Sequence, residues 1–269
     1  MQTTYWTVFI GEVTKNRILH RKVASPLAGK CPNDIDIICV RENCESEYCG
    51  AGGRVYQGTP QESAVQTAVF TYYGTERVMR YAFEYARRHG RKRVTSATKS
   101  NAINYSMVFW DDVFREVSAK YPEVQHEQQL IDSLCARFVT TPESLDVVVA
   151  SNLFGDIVTD LGAAIAGSMG LAPSANLNPE GRYPSLFQAI HGSAPDLASK
   201  GIANPVATIW SVSMMLDHLG EPELGDALLR AIESVIAEGK VRTPDLGGQS
   251  TTRQVGQAII SALQNQEHV

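Results

Sequence analysis

Asp156 and Asp160 stand four residues apart in "SNLFGDIVTD" (Ser151–Asp160), directly after the apolar run Leu145–Ala150. At that spacing on a helix both carboxylates share one face, and they repel unless a cation or base lies between them. Hard oxygen donors of this kind suit Mg2+ or Mn2+; the alternative is a solvated acidic helix start favoured by the dipole. Gly155 is expected to permit a tight entry into that helix. In "HGSAPDLASKGIANP" (His191–Pro205) the small residues Gly192, Ser193 and Ala194 let backbone N–H groups approach a ligand. Asp196 can accept hydrogen bonds from two ribose hydroxyls, although an ordinary Gly/Ala/Pro-rich surface loop explains the composition equally. In "VRENCESEYCG" (Val40–Gly50), Arg41 can clamp a carboxylate and Tyr48 can donate a proton. The competing reading is surface ion pairing of Arg41 with Glu42, Glu45 and Glu47. Lys99, in "TSATKSN", follows an apolar run and is either a general base or a solvated loop residue.

The elements that must carry these residues alternate. Asp34–Val40, Ala64–Tyr73, Arg93–Thr98 and Leu145–Ser151 read as strands, with a Gly-rich turn at Gly50–Gly53. Thr75–His89 has helical apolar spacing that ends at Gly90, placed as a C′ glycine. Three helices follow in the last third: Pro205–His218, Glu221–Glu238 and Thr251–Gln264. The last opens with a capping box, Thr251 and Gln254. The alternation predicts an α/β sandwich. Residues 1–24 show neither clean alternation nor a helix.

A chain of 269 residues with 43% hydrophobic and 20% charged residues has the composition of a globular protein. A net charge of −5, with only the short basic stretch Arg87–Arg93, gives nucleic acid no electrostatic purchase. Five irregularly spaced cysteines (31, 39, 44, 49 and 135) suit a reducing compartment and lack the close pairs of a zinc site. The apolar run Tyr5–Gly11 is too short to cross a bilayer and lacks a cleavage site. The expected location is the cytoplasm, with the mitochondrial matrix as the other choice.

In order along the chain, "VREN…E.EY", "SATKSN", "LIDSLCARFV", "SNLFGDIVTDLGAAIAGSMGLAPSANLNPEG", "HGSAPDLASKGIANP" and "RTPDLGG" resemble the isocitrate/isopropylmalate dehydrogenase family of decarboxylating dehydrogenases, on its tartrate and D-malate branch. The resemblance runs from about Ser25 to the C-terminus. It implies a two-domain α/β fold, with a substrate and dimerisation domain over 25–167 and part of a nucleotide domain over 168–269. It further implies a homodimer with shared active sites, acting on a small 2-hydroxy dicarboxylic acid. By the same resemblance Asp156 and Asp160 hold the divalent metal, joined by Asp132 of a partner subunit. Lys99 also crosses the interface and serves as the base or positions a water for that role, Tyr48 is the proton donor, and Arg41 binds a substrate carboxylate. Asn101, His191, Gly192, Ser193, Ala194, Asp196 and Asn204 line the NAD site. NADP-using relatives carry Lys at the position of Asp196, and a carboxylate there favours NAD.

Departures from the family pattern are also expected. The "GDGIG" start and the arginine-bearing helix of the family are not found, so the fold is expected to be N-terminally truncated, with residues 1–24 outside the family. Such a chain would leave apolar faces of its C-terminal helices uncovered. Ser46 stands where relatives usually have Gly. The alternative to an active enzyme is an impaired fragment or a non-catalytic, dimerising paralogue.

Overall fold

A computed structural model describes residues 11–266; most of the run Tyr5–Gly11 lies outside them. The first element is a strand, β1 (Gly11–Arg17), and the second β2 (Asp36–Arg41). A long hairpin of β3 (Ser46–Val55) and β4 (Ser63–Val69) leads into α1 (Tyr72–Arg88). Then come β5 (Arg93–Thr98), α2 (Ser106–Ser118), β6 (Gln125–Leu130), α3 (Ile131–Thr140), β7 (Val147–Ala150) and α4 (Asn152–Ile165). The remainder comprises β8 (Pro173–Leu177), β9 (Leu186–Ala189), α5 (Val206–His218), α6 (Pro222–Glu238) and α7 (Thr252–Gln266).

Among the described residues, seven strands form one sheet in the order β6-β5-β7-β2-β1-β8-β9. The first four run parallel, while β1 is antiparallel to both β2 and β8. Continuous apolar runs such as Ile37–Val40 and Val147–Ala150 are buried on both faces, as helices on both sides of a parallel sheet require. β1 divides the two layers. Its Val13 and Lys15 face a cleft walled by α1 and α5, whereas Asn16 packs on Gly162 of α4. Trp110 of α2 is fully buried and donates to Ser96 Oγ of β5 at 2.9 Å.

Several expectations are corrected. β1 sits in the middle of the sheet, although residues 1–24 show no strand pattern. Its Glu12, Thr14 and Asn16 are buried polar residues, which break apolar alternation. Gly50–Gly53 is not a turn but part of β3. A Cβ on Gly52 would lie 2.2 Å from Val65 O of the facing strand, so the close approach explains the glycine. Ala64–Tyr73 is not one strand: β4 stops at Val69, and Thr71 caps α1 by accepting from Gly74 N at 3.0 Å. Gly90, at φ +64°, ends α1 as predicted.

Ser46 adopts φ +64°, a conformation that costs a non-glycine residue about 1–2 kcal/mol. Its hydroxyl, donating to Glu42 Oε2 at 3.2 Å, offsets part of that cost. Among the C-terminal helices, Ile232, Val235, Ile236, Val255 and Ile259 are buried, while Leu224 and Ile260 are exposed. The apolar faces are thus uncovered only in part.

Candidate active site

Parallel sheets bind ligands beyond the C-terminal ends of their strands. Four adjacent strands here each deliver a candidate residue at that end. Arg41 closes β2, Asn152 follows β7, Lys99 follows β5, and Asp132 follows β6.

Arg41 is the hub. Its Nε and Nη2 donate to Asn152 Oδ1 at 3.2 and 2.8 Å, and its Nη1 lies 2.7 Å from Asp156 Oδ1 and 3.3 Å from Glu12 Oε2. The guanidinium also lies 5.9 Å from the Tyr48 ring centre. Tyr48 Oη donates to Asp156 Oδ2 at 3.4 Å. Arg41, Tyr48 and Asp156 are therefore brought together, and Asp160 follows one turn later on α4. Burial, then the Asp156 charge, raises the Asp160 carboxyl above its usual range. Desolvation and Asp156 likewise raise the Tyr48 phenol, which keeps it protonated and able to act as an acid.

The reading of Arg41 as one of a set of surface ion pairs is overturned. Its side chain is mostly buried, and the three neighbouring glutamates cap backbone instead. Glu42 accepts from Cys44 N and Glu45 N at 2.8 and 2.9 Å. Glu45 accepts from Thr71 N at 2.7 Å. Glu47 accepts from Ser151 Oγ and Leu153 N at 2.8 and 3.0 Å, which satisfies the N-terminus of α4. Gly155 also has a different role from the one expected. A Cβ there would fall 2.4 Å from Arg41 Cγ, so the glycine makes room for the arginine.

Lys99 Nζ pairs with Asp132 Oδ1 at 2.5 Å, and this bond holds the Asp132 carboxyl below its usual range. Among the described residues, neither Lys99 nor Asp132 bonds to Arg41, Tyr48, Asp156 or Asp160. No group of three or more His, Cys, Asp or Glu side chains placed to hold a metal occurs among them either. Cys31, Cys39, Cys49 and Cys135 are free thiols.

The cofactor candidates other than Asn101 lie in the other half. Asn101 is exposed in the turn after β5. His191 to Asp196 run through an open loop after β9, where Ala194 adopts φ +43° before the short turn Pro195–Leu197. His191 Nδ1 lies 2.9 Å from Gly192 O, and Gly192, Ser193 and Asp196 are exposed. Asn204 is already engaged: its amide donates to Asp245 Oδ2 at 2.9 Å, and its Oδ1 accepts from Val206 N at 3.0 Å. Glu12, Asn152 and Asp245 complete these clusters. The sequence reading overlooked them because their partners are 29 to 111 residues away.

The chain belongs to the isocitrate/isopropylmalate dehydrogenase family, whose match covers residues 12–259. Membership thus starts inside the segment expected to lie outside the family, and takes in β1. The chain is 54% identical over 241 residues to the probable tartrate dehydrogenase/decarboxylase of Bacillus subtilis (strain 168), covering 90% of this chain and 67% of that protein. It is 55% identical over 246 residues to the D-malate dehydrogenase [decarboxylating] of Escherichia coli (strain K12), covering 90% and 68%. The isocitrate dehydrogenase structure from Methylococcus capsulatus superposes with a TM-score of 0.87 at 35% identity, covering 98% of this chain and 78% of that one. The α/β fold of the isocitrate/isopropylmalate dehydrogenase type, expected from the sequence, is the fold observed.

Proposed function

We propose that this chain is an NAD-dependent, divalent-metal-dependent dehydrogenase that oxidatively decarboxylates a small 2-hydroxy dicarboxylic acid, D-malate or tartrate. The observation that carries the reading is the Arg41–Tyr48–Asp156 cluster at the C-terminal ends of parallel strands, with Asp160 one turn on. Asp156 and Asp160 are a hard-oxygen donor pair one helical turn apart, with burial and the Asp156 charge raising the Asp160 carboxyl, and such a pair fits Mg2+ or Mn2+. The open loop with the Asp196 carboxylate fits a ribose diol and opposes a 2′-phosphate.

When bound, the cation would supply Lewis acidity and NAD the hydride acceptor. Arg41 orients a substrate carboxylate. Lys99 takes the hydroxyl proton, and Tyr48 returns a proton to the carbon that loses CO2. Asp156 and Asp160 would hold the metal, with Asp132 of a partner subunit as third carboxylate. Asn101, His191, Gly192, Ser193, Ala194, Asp196 and Asn204 hold the dinucleotide.

The assembly in this reading is a homodimer. The β3–β4 hairpin supports it, because Val55, Tyr56, Val65 and Val69 are exposed and an isolated hairpin is marginal in water. The domain division at 167/168 and a cytoplasmic location, with the mitochondrial matrix as the other choice, belong to the same reading. Among the described residues, no helix is long and apolar enough to cross a membrane.

A second reading, an impaired or non-catalytic dimerising relative, draws on Arg41 being occupied by Glu12 and Asp156. The deciding experiment is NAD reduction with D-malate, tartrate and isopropylmalate, with Mn2+ and with EDTA. NADH formation that needs Mn2+ supports the first reading. A folded dimer without activity supports the second.

A further inference from the structure

A cleft of about 320 Å3 lies on the sheet face opposite Arg41, between α1 and α5. Its floor and one wall are apolar: Val13, Leu177, Phe187 and Met214. Lys15 projects into it from the middle of β1. Burial lowers the affinity of Lys15 for its proton, and Asp217 opposes this only at a distance. Lys15 makes no hydrogen bond or ion pair with another described residue. The other basic groups there are engaged. Arg88 pairs with Glu84 at 2.8 Å, His89 lies against the Tyr85 ring at 4.2 Å, and His218 bonds Ser185 Oγ at 3.2 Å. One desolvated ammonium above an apolar floor wants one negative charge and an apolar body.

We propose that this cleft is a second ligand site, for a small monocarboxylate with a flat apolar body. The carboxylate sits on Lys15 Nζ and the body lies on Val13, Leu177, Phe187 and Met214. A dicarboxylate is disfavoured, because its second charge would face the apolar wall, Asp217, or the basic groups Arg88, His89 and His218 that are already engaged. The site is therefore distinct in chemistry from the Arg41 cluster. It also bridges helices from the two halves of the chain, so its ligand would hold α1 and α5 at a fixed spacing.

Calorimetric titration of the full chain with benzoate tests this, with benzyl alcohol as the uncharged analogue and D-malate as the dicarboxylate. One benzoate per chain is expected, with benzyl alcohol undetectable and saturating D-malate, which occupies the Arg41 cluster, leaving benzoate affinity unchanged. Lys15→Met should weaken benzoate at least about tenfold, the worth of one charge-assisted hydrogen bond. Asp217→Asn should tighten it about threefold or more by removing the competing carboxylate. No benzoate binding by folded wild-type chain, or equal affinity in Lys15→Met, overturns the proposal. Should Lys15→Met fail to fold by circular dichroism, Asp217→Asn decides alone: unchanged or weaker affinity sinks the site.

Discussion

Arg41 shows how a single residue can be held in readiness and at a cost. Its guanidinium has three oxygen partners, on Asn152, Glu12 and Asp156, in a mostly buried setting where an unpaired charge would be severely destabilising. Gly155 is what permits this placement. Gly155→Ala pits two effects against each other: alanine is worth about 1 kcal/mol more than glycine within a helix. Its methyl group, however, would lie 2.4 Å from Arg41 Cγ and must displace the arginine from its partners. Overpacking of that kind costs about 1–3 kcal/mol, so the steric effect wins. Urea denaturation should show Gly155→Ala less stable than wild type, and KM for the hydroxy acid should rise. A more stable variant with unchanged KM would remove Arg41 from the site. The acidic pair gives a second prediction. Because the folded-state pKa of Asp160 is raised, its contribution to stability is full below the usual carboxylate range and declines as pH rises through the raised value. Metal-free Asp160→Asn should lose that decline. At neutral pH, with Mn2+ at about a hundred times its Kd, wild type should gain about 2.7 kcal/mol in thermal melts. Asp160→Asn should lose most of the gain, and an equal gain in both proteins would place the metal elsewhere.

The same logic operates on elements, whose ends are fastened by side chains that the sequence displays unevenly. The capping box of α7 is read directly from Thr251 and Gln254, and both reciprocal bonds form: Thr251 N to Gln254 Oε1 at 2.8 Å and Gln254 N to Thr251 Oγ1 at 3.3 Å. Because α7 buries Val255 and Ile259, fraying it exposes core. Thr251→Ala should therefore cost about 1 kcal/mol, measured by chemical denaturation. Caps built from distant residues are harder to foresee. Glu47 caps α4 across more than a hundred residues, so it reads locally as one more surface acid. Strands divide in the same way. β2 and β7 are legible because burial on both faces demands nearly unbroken apolar runs. β6, "QHEQQL", is a polar edge strand held by backbone pairing to β5. β1 has buried polar residues toward α4, and Thr14 Oγ1 and Asn16 Oδ1 find no partner among the described residues. Periodicity depends on apolar contrast, and neither strand has it. Arg41, Asp156 and Asp160 were legible because they close or follow apolar strands, whereas Asp132, after polar β6, was reached only through the family resemblance; Glu12, on a strand without apolar contrast, was missed.

At the scale of the molecule, the arrangement within one chain raises a question that only an assembly answers. Lys99 and Asp132 satisfy each other at the ends of β5 and β6, while Arg41, Tyr48 and Asp156 form their own cluster on β2, β3 and α4. A reaction that needs both sets draws them either from one chain or from two. In a two-fold dimer each subunit would lend its lysine pair to the other's cluster, giving two equivalent composite sites. The alternatives separate by subunit mixing. Lys99→Met and Asp156→Asn each disable every site of their own homodimer. With shared sites, a mixed dimer holds one site carrying both lesions and one carrying neither. Random exchange then makes half the dimers mixed, and about a quarter of wild-type activity returns. If each chain completes its own site, every site retains one lesion and nothing returns. Exchange itself must be checked by mass, since non-exchanging dimers would also stay silent. Val65→Glu, on the exposed hairpin, supplies the check from the other side: it should shift the native mass from dimer to monomer and prevent the recovery. Recovery without a dimer would contradict the composite site, and verified exchange without recovery would confine the chemistry to a single chain.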